Sequence, residues 1–308
     1  MQSTRAILIA GPTAAGKSSL ALELAQYLGG TVINADSMQV YQDLRILTAR
    51  PTLHDEARAP HALYGFVSGS EAYSAGRYGI DAAHAIAKTR DAGRVPIIVG
   101  GTGLYFKVLL EGLSPIPPVD PMVRAFWRAQ ARERPVQELH ALLARRDPET
   151  AARLMPTDPQ RIVRAMEVLD STGRSLASWQ REPGTPVLEQ HETTKLLLLP
   201  DRARHGPAID ARLDDMMAAG AIEEVRALIA QGYSSELPIM RATGVSPLAA
   251  HLARRLSLED AVAISKKETR YYAKRQRTWL TRNMIAWNAV QKKENERWLP
   301  KILPFIDC

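Results

Sequence analysis

Gly11-Pro12-Thr13-Ala14-Ala15-Gly16-Lys17-Ser18 follows the apolar run Ala6-Ile7-Leu8-Ile9-Ala10 and precedes the helical pattern Leu20-Ala21-Leu22-Glu23-Leu24. A glycine-rich loop ending in Lys-Ser between a strand and a helix is a phosphate cradle. The glycines let backbone N–H groups turn toward oxygen atoms, the helix points its positive end at them, and Lys17 adds a mobile charge. The spacing therefore predicts polyphosphate binding across Gly11 to Ser18. It leaves open which phosphate compound binds, and nucleotide hydrolysis does not follow from it.

Working outward, Thr31-Val32-Ile33-Asn34-Ala35-Asp36, Arg94-Val95-Pro96-Ile97-Ile98-Val99-Gly100-Gly101 and Lys195-Leu196-Leu197-Leu198-Leu199-Pro200 have the apolar density of strands buried on both faces. Ala82 to Ala87 suits a crossover helix, so strands and helices alternate as a parallel sheet requires. These patterns predict an α/β class: a P-loop-type parallel sheet flanked by helices, with a helical insertion and a helical C-terminal region. Ligands of such sheets gather beyond the strand C-termini, where Gly11, Asp36 and Gly101 all fall. Ser114-Pro115-Ile116-Pro117-Pro118 reads as a stiff linker into a stretch rich in Arg, Glu and Ala with no strand pattern. The expected organisation is a core of residues 1–113 and 192–308 interrupted by a helical domain of residues 114–191. Gly173, Gly184 and Pro186 suit a loop near the insertion's end, and Ile209 to Gln231 and Leu258 to Asn283 read as long helices. There are no heptads or repeats.

With 308 residues and 45% hydrophobic content the chain can bury a sizeable core. It has no apolar run of the roughly 18 residues that span a bilayer, and its N-terminus reads as a strand rather than a leader, so cytoplasmic residence without membrane partners is expected. The single cysteine, Cys308, argues against internal disulfides, thiolate metal clusters and a buried cysteine nucleophile. Oxygen-ligated Mg²⁺ stays open. A net charge of +7 and a pI near 9.6 favour an anionic partner without choosing between nucleic acid, small phosphates and plain solubility. Lysines and arginines at 266, 267, 270, 274, 275, 277 and 282 face only one acid in that stretch, Glu268. Arg270, Lys274 and Arg277 share a helical face, with Tyr271, Tyr272 and Trp279 interleaved. That pattern fits nucleic-acid binding, or a solvated face whose aromatics pack on the core.

Asp36, followed by Ser37-Met38-Gln39-Val40-Tyr41, offers a carboxylate and an amide near the phosphate loop. The carboxylate is suited to binding Mg²⁺, to accepting a proton from an amine or alcohol nucleophile, or to capping a helix. Gly100-Gly101-Thr102-Gly103-Leu104-Tyr105 is a second glycine turn opening a helix, in which Thr102 is a candidate cap.

Together these segments resemble the tRNA dimethylallyltransferase (tRNA isopentenyltransferase) family. The carriers are GPTAAGKS at 11–18, DSMQVY at 36–41, GGTGLY at 100–105, DPQRIVRAMEV at 158–168 and YAKRQRTW at 272–279, in the family's order over nearly the whole chain. Ala15 departs from a frequent serine. Gly244-Val245-Ser246 departs from Gly-Tyr followed by a basic residue, which puts a tRNA contact near Val245 in doubt.

The resemblance implies transfer of a dimethylallyl group from dimethylallyl diphosphate to N6 of adenosine 37 in tRNAs that read codons beginning with U. The cradle would then hold an isoprenoid diphosphate instead of ATP. Asp36 is implied as general base and Thr102 as a second catalytic group at the reacting amine or leaving oxygen. Thr13, Lys17 and Ser18 would hold diphosphate, Ser18 through Mg²⁺, with Arg212 either a further phosphate ligand or half of a surface ion pair. Asp36, Ser37, Met38, Gln39 and Thr102 would meet the flipped base. Arg124, Gln160, Arg161, Ile162, Val163 and Arg164 of the insertion, and Lys274, Arg275 and Arg277 of the tail, would meet the anticodon stem-loop. For Arg161 and Arg164 the alternative is salt bridging along a helix. A monomer is expected, since one chain supplies one site. A P-loop kinase of a small metabolite shares the cradle but needs neither the insertion nor the basic tail. An isopentenyltransferase of free adenine nucleotides shares the core chemistry, and a nonenzymatic RNA-binding protein would leave the cradle idle.

Overall fold

Ala6–Ala10 (β1) is buried at every position and is paired on both edges in a computed structural model that describes residues 5–291 and 297–306. Cys308 lies outside the described residues. In chain order β1 is followed by α1 (Lys17–Leu28), β2 (Thr31–Asn34), α2 (Leu53–Arg58), β3 (His61–Ala62), α3 (Ala75–Asp91), β4 (Pro96–Gly100) and α4 (Gly103–Glu111). Five helices come next: α5 (Pro121–Glu133), α6 (Val136–Arg146), α7 (Pro148–Arg153), α8 (Pro159–Thr172) and α9 (Leu176–Trp179). The chain then returns to the sheet as β5 (Thr193–Leu198). It continues through α10 (Arg202–Ala218), α11 (Ala221–Ala230), α12 (Val245–Leu252), α13 (Leu258–Asn283), β6 (Asn288–Val290) and α14 (Leu299–Ile306).

The sheet order is β3-β2-β4-β1-β5-β6 and every pairing is parallel. Alternation along β1 divides its side chains between two cores. Ile7 and Ile9 pack with α1, Trp298 and Ile302, whereas Ala6, Leu8 and Ala10 pack with Tyr78, Phe106, Leu280 and Met284. The flanking β3 and β6 were not evident in the sequence, because two or three residues at a sheet edge carry no periodicity of their own. The stretch from Ile209 to Gln231, expected as one helix, is two. Gly220 adopts φ 100°, a left-handed conformation that ends α10 and caps the start of α11.

Residues 1–110 with 187–308 pack as one unit and residues 111–186 as another. The second unit is helical, built around Trp127, Leu139, Leu143, Ile162 and Met166. Its buried Glu167 is met by Arg128 at 3.8 Å and Arg164 at 3.6 Å.

In the first unit the Gly100–Gly103 turn is shaped by close approach. A Cβ on Gly100 would sit 2.0 Å from the Ala35 carbonyl oxygen, one on Gly101 2.2 Å from Gln276 Nε2, and one on Gly103 1.9 Å from the Trp279 ring. Helix α13 thus seats residues 276 and 279, one turn apart, on two bare glycines. Gly103→Ala should destabilise the protein by about 1–3 kcal/mol through overpacking. Gly206→Ala, inside α10 with nothing closer than 3.9 Å, should be neutral or stabilising. Thermal unfolding of the two variants checks both signs.

Candidate active site

The cradle runs from the C-terminal end of β1 into α1, and two of its residues take left-handed conformations, Ala14 at φ 58° and Gly16 at φ 81°. Alanine pays about 1–2 kcal/mol for that conformation, so the loop needs external support. It comes largely at Thr13. The Thr13 N–H donates to Gln276 Oε1 at 2.9 Å, its carbonyl accepts from His205 Nε2 at 2.8 Å, and Arg212 Nη1 lies 3.5 Å from its hydroxyl. Because a carbonyl only accepts, His205 carries its proton on Nε2. Burial lowers the His205 pKa, against the raising effect of this bond. Gly11 is required where the loop crosses β5: a Cβ there would lie 2.7 Å from the Leu198 carbonyl oxygen. Ala15 is buried in the core, which explains why a methyl serves at that position. No side chain caps α1, whose N-terminus stays open to an anion.

Lys17 Nζ donates to the Pro12 carbonyl at 2.7 Å. Burial pushes its pKa down to about 8, opposed by the Asp36 carboxylate and reinforced by the Arg212 cation.

Asp36 sits just past β2 in a turn that Asn34 holds from both sides. Asn34 Oδ1 accepts from the Asp36 N–H at 2.8 Å, and Asn34 Nδ2 donates to the Asp36 carbonyl at 2.9 Å and to the Leu63 carbonyl at 3.0 Å. Asn34 is fully buried, and sequence reasoning passed over it as the last residue of a strand. A polar amide closing an otherwise apolar run was the available signal. Asp36 Oδ1 accepts from the Met38 N–H at 3.0 Å, which makes a local turn and leaves Oδ2 for other partners.

The Thr102 hydroxyl accepts from the Ser37 N–H at 2.9 Å and donates to Ser37 Oγ at 3.3 Å. It therefore clasps the residue after Asp36 and does not cap α4. Gln39 Nε2 donates to the Thr48 and Ala49 carbonyls, so its donors fasten the 48–49 loop. That loop is fixed from the other side by Glu224 of α11, whose carboxylate accepts the N–H groups of Arg45, Ile46 and Leu47 at 2.5–2.9 Å.

Two chambers meet at this point. One, of about 340 Å³, is lined by the cradle from Thr13 to Ser19, Asp36, Gln39, Tyr64 and Arg212. The other, of about 280 Å³, has a largely apolar wall of Met38, Leu47, Ile209, Leu213 and Met216, with Tyr272 and Arg275 at its edge. Thr13, Ala14, Asp36, Thr48 and Arg212 belong to both, and Thr102 to neither. Burial first, and then the negative charge of Asp36, raises the pKa values of Tyr64, Tyr105 and Tyr272, so all three stay protonated donors. Arg212 faces Asp36 inside the site, and its pKa is lowered by desolvation. Of the two alternatives for Arg212, a phosphate ligand or half of a surface ion pair, the second is set aside, because the guanidinium turns into the chamber.

Helix α13 departs from the face read in its sequence. Arg270 pairs with Asp210 and Lys266 with Asp214, stitching α13 to α10, while Arg277 donates to the Pro200 carbonyl at 2.7 Å. Arg270 stays exposed within its pair, and the other exposed cations of the helix are Lys267, Lys274, Arg275 and Arg282, with Tyr271 exposed among them. Tyr272 and Trp279 are turned inward. In the helical unit, Ile162 and Val163 are core side chains and offer no surface to a ligand. Arg164 is drawn to the buried Glu167, and Arg161 pairs with Asp158 at 3.4 Å while remaining exposed. Gln160 and Arg124 are exposed. Val245 is buried at the start of α12, so its side chain is also core.

Among the described residues no group of three or more His, Cys, Asp or Glu is placed to hold a metal. The side-chain oxygens offered at the cradle are the Thr13, Ser18 and Ser19 hydroxyls and the Asp36 carboxylate. That sparse oxygen set fits a Mg²⁺ that takes its other ligands from phosphate and water. No helix among the described residues is long and apolar enough to cross a membrane.

A parallel sheet, a phosphate cradle and a carboxylate facing it across a shared chamber define an α/β P-loop enzyme. Residues 39–283 match the family model described as IPP transferase, and residues 4–61 match one described as isopentenyl transferase. The chain belongs to the IPP transferase family. Among curated relatives, the tRNA dimethylallyltransferase of Methylobacterium nodulans is 55% identical over 96% of this chain and 95% of its own. That of Parvibaculum lavamentivorans is 49% identical over 98% and 96%. Among solved structures, a eukaryotic dimethylallyltransferase acting on tRNA superposes with a TM-score of 0.82 at 28% identity, covering 96% of this chain and 76% of that one. The full-length tRNA isopentenylpyrophosphate transferase of Bacillus halodurans gives 0.69 at 29% identity over 99% and 95%.

The depressed pKa of Lys17 has a measurable consequence. The cation is lost as pH rises through about 8, so inorganic pyrophosphate should bind progressively more weakly between pH 7 and 9. Titration calorimetry checks this, and Lys17→Met should weaken binding and remove that part of the pH dependence.

Proposed function

We propose that this enzyme transfers the dimethylallyl group of dimethylallyl diphosphate to N6 of adenosine 37 in tRNAs that read codons beginning with U. The observation that carries the reading is the single carboxylate, Asp36, shared by the phosphate chamber and its apolar neighbour. An isoprenoid diphosphate has the same two-part character: its diphosphate suits the cradle, and its hydrocarbon and the incoming base suit the wall of Met38, Leu47, Leu213 and Met216.

The acceptor is an aromatic exocyclic amine, a poor nucleophile that gains reactivity as its proton is removed. Asp36 takes that proton as N6 bonds to the first carbon of the dimethylallyl group. The carbon–oxygen bond breaks with its electron pair leaving on diphosphate. Lys17, Arg212 and the open N–H groups at the start of α1 hold the departing charge. Mg²⁺ bound through Ser18 and the phosphate oxygens would add to that neutralisation. Thr102 and Asn34 act through Asp36, fixing the turn on which it sits.

An adenine stacked in a loop reaches this chamber only if it is extruded, and a single-stranded anticodon loop makes extrusion less costly. Lys274 and Arg275, followed along the same helix by Arg282, suit the phosphate backbone, with Tyr271 exposed beside them for stacking. Gln160, Arg161 and Arg124 suit further contacts from the helical unit. A monomer suffices for the transfer step, because one chain supplies the cradle, Asp36 and Arg212 to the same chamber.

Incubation with labelled dimethylallyl diphosphate and Mg²⁺, offering unmodified tRNA, AMP, or ATP with candidate metabolites, should put label in tRNA alone. Label confined to AMP would overturn the reading. Asp36→Asn should slow single-turnover transfer by about 10²–10⁴-fold and leave tRNA affinity nearly unchanged. Lys274→Ala should reduce the salt slope of tRNA binding by about one without altering pyrophosphate affinity.

A further inference from the structure

Gln276 stands on α13 between cations of the exposed tail, yet its side chain is buried, 7% exposed, and turned away from solvent. Its amide is fully directed. Oε1 accepts the Thr13 N–H at 2.9 Å and Nε2 donates to the Gly101 carbonyl at 3.1 Å. A backbone N–H can only donate and a carbonyl can only accept, so these partners fix the amide orientation without ambiguity. One side chain thus bridges the loop after β1 to the loop after β4, and Gly101 has no Cβ because that atom would lie 2.2 Å from Gln276 Nε2. The bridge lands on the residue immediately before Ala14, whose left-handed backbone opposes alanine's own preference.

We infer that Gln276 is a positioning residue for the diphosphate cradle: by holding the Thr13 peptide from α13, it keeps the N–H groups of the following turn aimed at the phosphate oxygens. This rests on the proposed transferase reading only for the identity of the donor. The geometry predicts that Gln276 controls phosphate binding whichever phosphate compound the enzyme uses. The Thr13 carbonyl, on the next peptide unit, accepts from His205, so loss of Gln276 leaves Thr13 held by that bond and by Arg212 at its hydroxyl. The freed N–H and the Gly101 carbonyl are left unsatisfied in a buried place, which favours reorientation of the peptide. Lys274 and Arg275, on the outer face of the same turn, keep their positions because α13 is anchored independently by Leu280 in the core and by the Arg270–Asp210 pair.

The test uses the full chain with Gln276→Leu, which removes both hydrogen bonds, and Gln276→Glu, which keeps the size and the acceptor for Thr13 but removes the donor to Gly101. Inorganic pyrophosphate affinity, tRNA affinity and the steady-state constants for dimethylallyl diphosphate are measured for each, with thermal unfolding alongside. Gln276→Leu should weaken pyrophosphate and raise the donor KM by about tenfold or more, the loss expected when one buried hydrogen bond to the cradle goes unmade. Its tRNA affinity should stay within about twofold of the parent, a difference of a few tenths of a kcal/mol. Gln276→Glu should also raise the donor KM, since it sets a carboxylate oxygen against the Gly101 carbonyl and so disturbs the bridge to Thr13.

Pyrophosphate affinity and donor KM unchanged in both variants would overturn the inference. So would tRNA and pyrophosphate affinity falling in parallel with the melting temperature, which marks a side chain that merely holds the fold. Should Gln276→Leu fail to fold, Gln276→Glu decides alone by the same readouts. If the parent enzyme modifies no tRNA, the transferase reading fails, while the pyrophosphate comparison still decides the role of Gln276.

Discussion

Parallel hydrogen bonding of β1 to β4 on one side and to β5 on the other is the interaction on which everything else is hung. It brings the ends of segments far apart in sequence to a single edge of the sheet. The loop after β1 becomes the cradle, the loop after β4 becomes the Gly100–Gly103 turn, and β2, paired to β4, delivers Asp36 beside them. Burial of β1 on both faces makes this arrangement insensitive to what happens at the surface. A one-residue slip of β1 would exchange the side chains of its two cores.

The site is supported in depth by side chains that hold its loops. Asn34 frames Asp36, Thr102 clasps Ser37, Glu224 gathers three backbone N–H groups of the 45–47 loop, and His205 and Gln276 grip Thr13 from opposite edges. Each is a polar side chain bonded to backbone, so the loops are held by geometry that leaves little freedom for their own side chains to redirect. Asp36, Lys17 and Arg212 stand together at the chamber, close enough for the carboxylate to raise the pKa of each cation.

Much of this was legible in the sequence where the signal is local. The cradle, the four apolar strands and helix α13 are written in continuous runs whose periodicity or glycine spacing is set by backbone physics. What was hidden depends on partners distant in the chain. Arg270 and Arg277 share a helical face with Lys274, but Asp210 and the Pro200 carbonyl, both distant in sequence, decide which of the three are drawn into contacts with the rest of the fold. Ile162 and Val163 read as part of a tRNA-facing strip because the motif is contiguous, whereas the helix turns both into the core. Gln276 lies within YAKRQRTW and carries no mark to separate it from the arginines on either side.

The seating of α13 on Gly101 and Gly103 divides that helix into two independent vocabularies. Positions 276 and 279 are keyed to bare backbone and tolerate no enlargement of the turn beneath them. Positions 267, 271, 274 and 282 face outward and are bound by no such fit. A designer therefore has an outward surface to rewrite on the same helix that steadies the loop after β1, and the two edits need not disturb each other.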